Sequence, residues 1–273
     1  MRAKNRKIGL ALSGGAVLGI AHLGAIKVLE ENNIRFNAIA GTSAGSLVGA
    51  FLAAGYNSDQ LFQMARSLSW DDIGKITLPK MGLLNSKSLE EFIDEELGRI
   101  DIQSLPISFA AVGVDLTSGA QVVFKDGPVS EAVRVSCAIP GIFTPVVRGN
   151  QVLVDGGVLN VLPTDVVRDM GADYIISIKL RPSISLGKPP NNIVQVLINS
   201  FMLAWGQIAE HAPTGNITIV PNLSGLNPHD FDQAEELYLQ GRLAALKSIK
   251  QIKKDLQPGG VIKKIFNLLK PNQ

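Results

Sequence analysis

Apolar positions along the chain follow two spacings, one typical of buried strands and one typical of helices with a single apolar face. Residues 7–12 and 36–40 are short apolar runs bounded by turn residues, whereas residues 19–32 and 44–55 repeat apolar side chains every three or four positions. By the same criteria we predict helices at 58–68, 86–98, 163–170, 192–210 and 232–256, a short helix that ends near residue 138, and strands in the runs ISFAAVGVDLTSGAQVVF, VVRGNQVLVDGG, DYIISIKL and NITIV.

The order of these elements predicts an α/β fold. Strand, helix, strand and helix follow one another from the start, which is typical of a largely parallel sheet covered by helices on both faces. Turn residues at 117–119 and 149–150 split two of the β-rich runs and predict hairpins. With 273 residues and no internal repeat, we expect one large domain.

A serine stands where the second predicted strand meets the second helix. Gly41-Thr-Ser43-Ala-Gly45 fits the pattern G-x-S-x-G, in which small residues on either side of a serine allow a sharp turn that exposes its hydroxyl. The unpaired N–H groups at the start of the following helix favour developing negative charge. Because Gly and Ser also populate ordinary turns, the motif alone leaves a nucleophile and a plain turn serine both open.

A glycine-rich segment, residues 13–19, follows the first predicted strand. Such a turn directs several main-chain N–H groups into one space, as the oxyanion of an acyl-transfer reaction requires. A dinucleotide-binding turn is the competing interpretation, since G-x-A-x-x-G is matched at Gly14, Ala16 and Gly19. That motif needs an acid at the end of the next strand, where this chain has Thr42 and Ser43 instead. We therefore expect no nucleotide cofactor.

None of the three histidines is well placed to act as a base for Ser43. His22 falls one turn into the first predicted helix, where a packed or capping role is the ordinary interpretation. His211 and His229 stand close to prolines in loops or helix ends, where surface roles are expected.

Asp155 is the other candidate base. It ends a β-rich run, and Gly156 and Gly157 leave room around its carboxylate. A carboxylate is a weak base in water, with a reference pKa of about 3.9, but burial in an apolar pocket would raise that value. Direct contact would let it take the proton during attack. Taken alone, Asp155 also fits an ordinary turn aspartate.

These pieces, in this order, resemble the patatin-like phospholipase family in its bacterial, single-domain form. The resemblance rests on the glycine-rich turn leading into GIAHLG, on GTSAG, on VSCAIPGIFTPV and on the final VDGG, and it covers roughly residues 7 to 180. It implies a three-layer α/β/α fold with a mostly parallel central sheet, related to the α/β-hydrolases. It also implies a Ser–Asp dyad in place of a triad, which accounts for the missing histidine.

The resemblance further implies roles for individual residues. Ser43 would be the nucleophile and Asp155 its partner. The oxyanion hole would be formed by the main-chain N–H groups around Gly14, Gly15 and Ala16, and the motif would be supported by Gly41, Gly45, Gly156 and Gly157. The CAIPGIF block would brace the site, with Cys137 as a packed small residue. In the family the glycine turn usually reads G-G-G-x-[RK]-G.

This chain departs from that pattern at two positions. Ala16 replaces the third glycine, which is a mild change, and Leu18 replaces the usual Arg or Lys. The second change removes a positive charge near the site, so a strong preference for anionic phospholipid headgroups is not expected.

Composition narrows the cellular setting. The single cysteine excludes an intrachain disulfide, so we expect a reducing, cytoplasmic environment, and no cluster of residues with metal-ligand spacing is evident. The formal charge of +2 is too small to suggest nucleic-acid binding. The basic amphipathic end, residues 258–273, is treated apart from the predicted hydrolase domain, residues 1–257. It fits either a terminal helix packed on the body or a helix that contacts the inner face of the membrane.

Two functions from different classes remain open. We expect a serine acyl hydrolase that acts on a lipid or other acyl ester, of the phospholipase A or lysophospholipase type, without a metal or other cofactor. The alternative is a non-catalytic lipid or acyl-chain binding protein on the same fold, for which Leu18 would be a first sign of divergence.

Overall fold

The computed structural model describes residues 6–67, 75–76, 82–181 and 189–257. The predicted amphipathic tail at 258–273 and most of the predicted loop at 181–190 lie outside the described residues.

The described strands and helices follow the predicted order. The strands are β1 (Ile8–Leu12), β2 (Ala38–Thr42), β3 (Lys75–Ile76), β4 (Gly82–Asn85), β5 (Ser108–Asp115), β6 (Ala120–Phe124), β7 (Gly141–Phe143), β8 (Val146–Arg148), β9 (Gln151–Asp155), β10 (Tyr174–Ile178) and β11 (Ile217–Ile219). The α-helices are α1 (Ile20–Glu31), α2 (Ala44–Ala53), α3 (Ser58–Ser67), α4 (Lys87–Leu97), α5 (Val129–Ser136), α6 (Thr164–Asp169), α7 (Ile193–His211) and α8 (Ala234–Leu256).

The main sheet is mostly parallel, as predicted. Strands β11, β10, β1, β2 and β5 lie side by side in this order and run in one direction. Antiparallel strands β6 and β9 pair with β5, and β8 pairs with β9. The two predicted hairpins are confirmed as β5–β6 and β8–β9.

Both faces of this sheet are covered, because side chains alternate along each strand. Leu10 and Leu12 of β1 pack into the larger apolar cluster with α1, α2 and α8, whereas Ala11 packs on the opposite face with Val166 and Val167 of α6. The predicted three-layer α/β/α arrangement is therefore confirmed. None of the described helices is both long enough and apolar enough to cross a membrane.

A second, small sheet was not predicted. It pairs β3 with β4 and β4 with β7, and β7 comes from the CAIPGIF block. These strands have two, four and three residues, too short to show the alternation that identifies a strand in sequence.

Helices α1 and α8 cross at two glycines. A Cβ on Gly24 would lie 1.9 Å from the carbonyl oxygen of Tyr238, and a Cβ on Gly241 would lie 1.9 Å from that of Ala21. Only glycine allows the two backbones to approach this closely. The last described helix is thereby packed against the first.

Candidate active site

Ser43 occupies a tight turn between β2 and α2. The predicted second strand, residues 36–40, extends in fact to Thr42, so that the strand leads directly into the serine. Ser43 has φ 54° and ψ −129°, a region that glycine reaches easily and other residues rarely adopt. Such a strained strand-to-helix turn is the geometry that the G-x-S-x-G motif predicts.

Neighbouring hydrogen bonds hold the strained residue in place. The Ser43 N–H donates to Ser136 Oγ at 2.9 Å, and that hydroxyl donates to the Val112 carbonyl at 2.6 Å. The Ser43 carbonyl accepts from the N–H and from the hydroxyl of Ser46, at 2.7 Å each. The Ser43 N–H is therefore engaged in support of the turn.

The motif glycines allow the backbone to fold back on itself. A Cβ on Gly41 would lie 2.1 Å from the Gly45 carbonyl oxygen, and a Cβ on Gly45 would lie 2.3 Å from the Leu12 carbonyl oxygen. Each contact is with backbone, which cannot move aside as a flexible side chain could.

Strand register brings Asp155 to the serine. Parallel strand β2 ends with Thr42 opposite Val112 of β5, and antiparallel strand β9 ends with Asp155 opposite Gly113, the next residue. Since β6 occupies the other edge of β5 at these positions, β2 and β9 lie on one edge and run toward each other. Two segments more than a hundred positions apart in the chain therefore meet at their carboxyl ends.

The Asp155 carboxylate is buried and hydrogen-bonded. Its side chain is 2% exposed, Oδ1 accepts from the Gly157 N–H at 2.7 Å, and the Ser43 side chain is also a hydrogen-bond partner. Burial raises the pKa of Asp155 to about 7, although both hydrogen bonds act to lower it. The predicted pair is thus in direct contact, with a carboxyl group that titrates near neutral pH.

The glycine-rich turn borders the same space, but its three predicted N–H donors are not equivalent. The Gly14 N–H already donates to the Val161 carbonyl at 3.2 Å. Gly15 and Ala16 line a cavity together with Ser43 and Asp155. The N–H groups of Gly15 and Ala16 therefore remain the stronger candidates for oxyanion donors, because the Gly14 N–H already has a partner. Ala16, in the position of the family's third glycine, has φ 50°.

His22 is a packed histidine beneath this turn. It is fully buried, Nε2 donates to the Ser13 carbonyl at 2.8 Å, and burial lowers its pKa to about 4. Since the carbonyl can only accept, Nε2 carries the proton and the ring is neutral. Neither cavity at Ser43 has His22 in its lining. His211 and His229 are both exposed.

A long apolar cleft opens at Ser43. It holds about 900 Å³ of space not filled by atoms, part of it open to solvent, and no charged residue lines it within the described part of the chain. The lining includes Leu47, Phe51, Leu61, Met64, Ala65, Leu89, Phe92, Cys137, Ile139 and Phe143. The sequence did not predict that the CAIPGIF block supplies three of these residues. We expected this block to brace the site, which places it nearby, but the sequence did not show that its side chains line the cleft.

Ser43 also lines a second, smaller cavity. Its lining includes Asp155, Gly15 and Ala16, together with Phe201, Met202 and Trp205 of α7. The sequence did not identify these three residues as part of the site. The only sequence signal for them was that apolar residues surround most of helix 192–210. Such a helix is expected to be covered on more than one face.

Two further residues singled out in the sequence, Leu18 and Cys137, have no direct chemical role in the structure. Leu18 is completely buried and lines neither cavity, so no cationic side chain is directed to the site from this position. Cys137 Sγ lies 3.9 Å from Ser46 Oγ, and burial together with the charge of Asp155 raises the pKa of its thiol. A thiol with a raised pKa remains protonated and is a poor nucleophile.

A strand–serine–helix elbow beside a buried carboxylate, at the carboxyl ends of a mostly parallel sheet, defines an α/β protein with a candidate active site at this edge of the sheet. The model of the patatin-like phospholipase family matches residues 10–168. The chain belongs to the patatin-like phospholipase family.

The chain is also similar to individual proteins, over parts of their length. An uncharacterised NTE family protein of Mycobacterium tuberculosis is 30% identical over 271 residues, which is 89% of this chain and 46% of that protein. The lysophospholipase NTE1 of Scheffersomyces stipitis is 26% identical over 266 residues, 94% of this chain and 16% of that protein. The chain therefore spans about half or less of these relatives. The crystal structure of VipD from Legionella pneumophila aligns with a TM-score of 0.49 and 14% identity, over 89% of this chain and 67% of that one.

Proposed function

We propose that the protein is a serine acyl hydrolase that cleaves carboxylic esters of lipids with a Ser43–Asp155 dyad. The observation that carries this proposal is the contact between the Ser43 hydroxyl and a buried carboxyl group whose pKa is about 7, where Ser43 also lines an apolar cleft. A base of this pKa is matched to accepting and returning a proton near neutral pH. The lysophospholipase relative supports the same reaction class.

In the first half of the reaction, Ser43 Oγ attacks the ester carbonyl carbon. The C–O π electrons move to the carbonyl oxygen, and the hydroxyl proton passes to the Asp155 carboxylate. The tetrahedral intermediate then collapses: the bond to the leaving alcohol breaks, and the alcohol takes the proton from Asp155. An acyl-enzyme remains on Ser43.

The negative charge on the intermediate oxygen needs preorganised donors. The Gly15 and Ala16 N–H groups border the cavity that contains Ser43 and Asp155, and we assign the oxyanion hole to them. The Gly14 N–H bond to Val161 supports the turn that presents them.

In the second half, water attacks the acyl-enzyme. Asp155 takes a proton from the water and returns it to Ser43 Oγ as the acyl bond breaks, which releases the carboxylic acid.

The cleft and its surroundings indicate the kind of substrate. Its apolar lining suits a fatty acyl chain, whereas no cation replaces the family's Arg or Lys at Leu18. With Asp155 as the one charged residue lining either cavity in the described part of the chain, an anionic leaving group would be repelled. We therefore propose lysolipids or other esters without a net negative charge beside the scissile bond, in preference to anionic phospholipids.

The experiment that tests the proposal is labelling of the full-length protein with a fluorophosphonate probe, followed by mass spectrometry of the labelled peptide. We expect phosphonylation of Ser43 in the wild type and none in S43A, while S46A, which removes a neighbouring buried hydroxyl, is still labelled. Absence of labelling, together with saturable binding of a fluorescent fatty acid, would favour the non-catalytic lipid binder. Labelling at another serine would show that the nucleophile is assigned wrongly.

A further inference from the structure

Helix α7 presents apolar side chains to solvent along its outer side. Ile193 is 71% exposed and Leu197 is 59% exposed, and Val196 and Leu203 are also largely exposed. Positions 193, 196 and 197 lie within a little more than one turn, and Leu203 follows Val196 after two turns, so the four side chains form one stripe. The helix has a defined beginning, because the Asn192 side chain accepts from the Gln195 N–H at 2.9 Å.

The inner side of the same helix forms a wall of the candidate active site. Phe201, Met202 and Trp205 line the smaller cavity with Ser43 and Asp155. Trp205 is 5% exposed, whereas Leu203 is 47% exposed, so one helix separates the site from the exposed stripe. Whatever covers the stripe therefore lies about one helix diameter from the site.

The stripe is also uncharged. No Asp, Glu, Lys or Arg occurs from Ile193 to Ala209. Helix α8 also exposes leucines, at 239, 243 and 246, but Arg242 and Lys247 interrupt them and Arg242 pairs with Glu31. Exposed apolar surface without charges is costly in water unless a partner covers it.

We propose that the outer face of α7 docks on the surface of a lipid bilayer and brings the active site to ester bonds at that surface. A stable protein dimer buries roughly 800 Å² and about 20–30 residues on each partner, whereas the stripe has four exposed apolar side chains among those described. A bilayer needs no matching surface and takes up a helix lying flat with its apolar side inward. The inference rests on the proposed function for its purpose, but the docking can be measured without catalysis.

The composition of α7 sets the character of the binding. Most interfacial helices carry lysines and arginines that attract anionic lipid, and α7 has none over this stretch. Docking through α7 is therefore expected on zwitterionic phosphatidylcholine and should persist at high salt. Binding through the lysines near the end of the chain would show the opposite behaviour.

The test is co-sedimentation of the full-length protein with phosphatidylcholine vesicles at high salt, which suppresses contributions from lysines. We compare wild type with I193Q/L197Q on α7 and with L243Q/L246Q on α8 as the matched control. We expect the α7 variant to partition at least about tenfold less than wild type, since two apolar side chains leave the interface, and the control to match wild type. Neither altered α7 residue lines a cavity, so both variants should hydrolyse soluble p-nitrophenyl butyrate at the wild-type rate.

Three results would overturn the docking proposal. The first is equal partitioning of all three proteins. The second is no partitioning of wild type onto vesicles of phosphatidylcholine alone or of phosphatidylcholine mixed with phosphatidylglycerol. The third is a wild-type dimer in sedimentation velocity that becomes a monomer in I193Q/L197Q, which would assign the stripe to a second copy of the chain.

If I193Q/L197Q fails to fold, L203Q serves in its place. A wild type that does not hydrolyse p-nitrophenyl butyrate would count against the hydrolase proposal alone, because vesicle binding is measured separately.

Discussion

Trp205 of α7 packs directly against Gly157, which lies two positions after the candidate base, Asp155. A Cβ on Gly157 would lie 2.6 Å from Trp205 Nε1 and 3.0 Å from Asp155 Oδ1. The Gly157 N–H is also the donor to that oxygen. One glycine therefore sets the position of the cavity wall and of the carboxylate together.

The substitution Gly157→Ala should consequently disturb the site more than the fold. We expect at least a tenfold loss of kcat/KM on p-nitrophenyl esters, because displacement of a catalytic group by about 1 Å can cost up to about a hundredfold. The double variant G157A/W205F should recover part of this loss, since phenylalanine lacks the indole Nε1 that the new methyl group meets. W205F alone is the control. If G157A/W205F is no more active than G157A, the contact with Trp205 does not cause the loss of activity.

The strained backbone of Ser43 predicts a gain of stability on substitution by glycine. Both S43A and S43G should lose ester hydrolysis by several orders of magnitude. Only S43G relieves the positive φ of 54°. Strain of this kind costs about 1–3 kcal/mol, partly offset by the greater freedom of glycine in the unfolded chain, so S43G should be more stable than S43A by roughly 1 kcal/mol. Urea unfolding of the two inactive proteins measures the difference, and equal stabilities would argue against strain at the elbow.

The raised pKa of Asp155 predicts how activity depends on pH. The base must be deprotonated to accept the proton from Ser43, so kcat/KM should fall as pH falls through about 7. D155N should lose activity by several orders of magnitude at every pH, because an amide cannot accept that proton. A rate profile with no inflection between about pH 6 and pH 8 would contradict Asp155 as the base.

The same pKa predicts an opposite trend in stability. The folded state holds its proton up to about pH 7, whereas the unfolded carboxyl releases it near its ordinary value of 3.8. The folded state therefore binds more protons between these values, and the free energy of unfolding falls as pH rises through the interval. D155N lacks this decline, so its melting temperature relative to wild type should be higher at about pH 8 than at about pH 5. A difference that does not change with pH would show that Asp155 does not titrate in this range.

The apolar cleft predicts selectivity for acyl-chain length. Ala65 of α3 lines the cleft and is buried, so Ala65→Phe adds a ring to space that a long chain would occupy. We expect A65F to lose at least about tenfold in kcat/KM on p-nitrophenyl laurate while retaining most activity on the acetate. The acetate serves as the control for folding and chemistry within the same protein. Equal losses on both esters would show that the cleft does not hold the acyl chain.

The fold was predictable where local patterns are strong. The bounds of α1, α2 and α3 agree with their predicted ranges to within two residues, and both hairpins form at the predicted turn residues. The small sheet of β3, β4 and β7 was not predictable, because its strands are short and β7 pairs with β4 across more than fifty positions of sequence. Strand β2 was placed two residues too early, since its small residues Ala40, Gly41 and Thr42 carry little strand signal.

The candidate site was predictable through its motifs but not through its walls. Ser43 directly follows a strand and Asp155 ends one, and small residues come after each, which is a local signal. Their contact depends on two strands meeting on one edge of β5, a register that sequence alone does not give. Phe201, Met202 and Trp205 approach from a helix late in the chain, and the occupied N–H of Gly14 depends on the distant carbonyl of Val161.

The crossing of α1 and α8 at Gly24 and Gly241 has a consequence for synthesis of the protein. The backbone of α1 near Ala21 is covered by residue 241, so this contact cannot form while the ribosome is still adding the intervening residues. Since chains fold progressively from the N-terminus as they emerge, the side of α1 that faces α8 stays uncovered until residue 241 has left the ribosome. Factors that bind exposed apolar helices on nascent chains would find their target there, and docking of α8 would remove it.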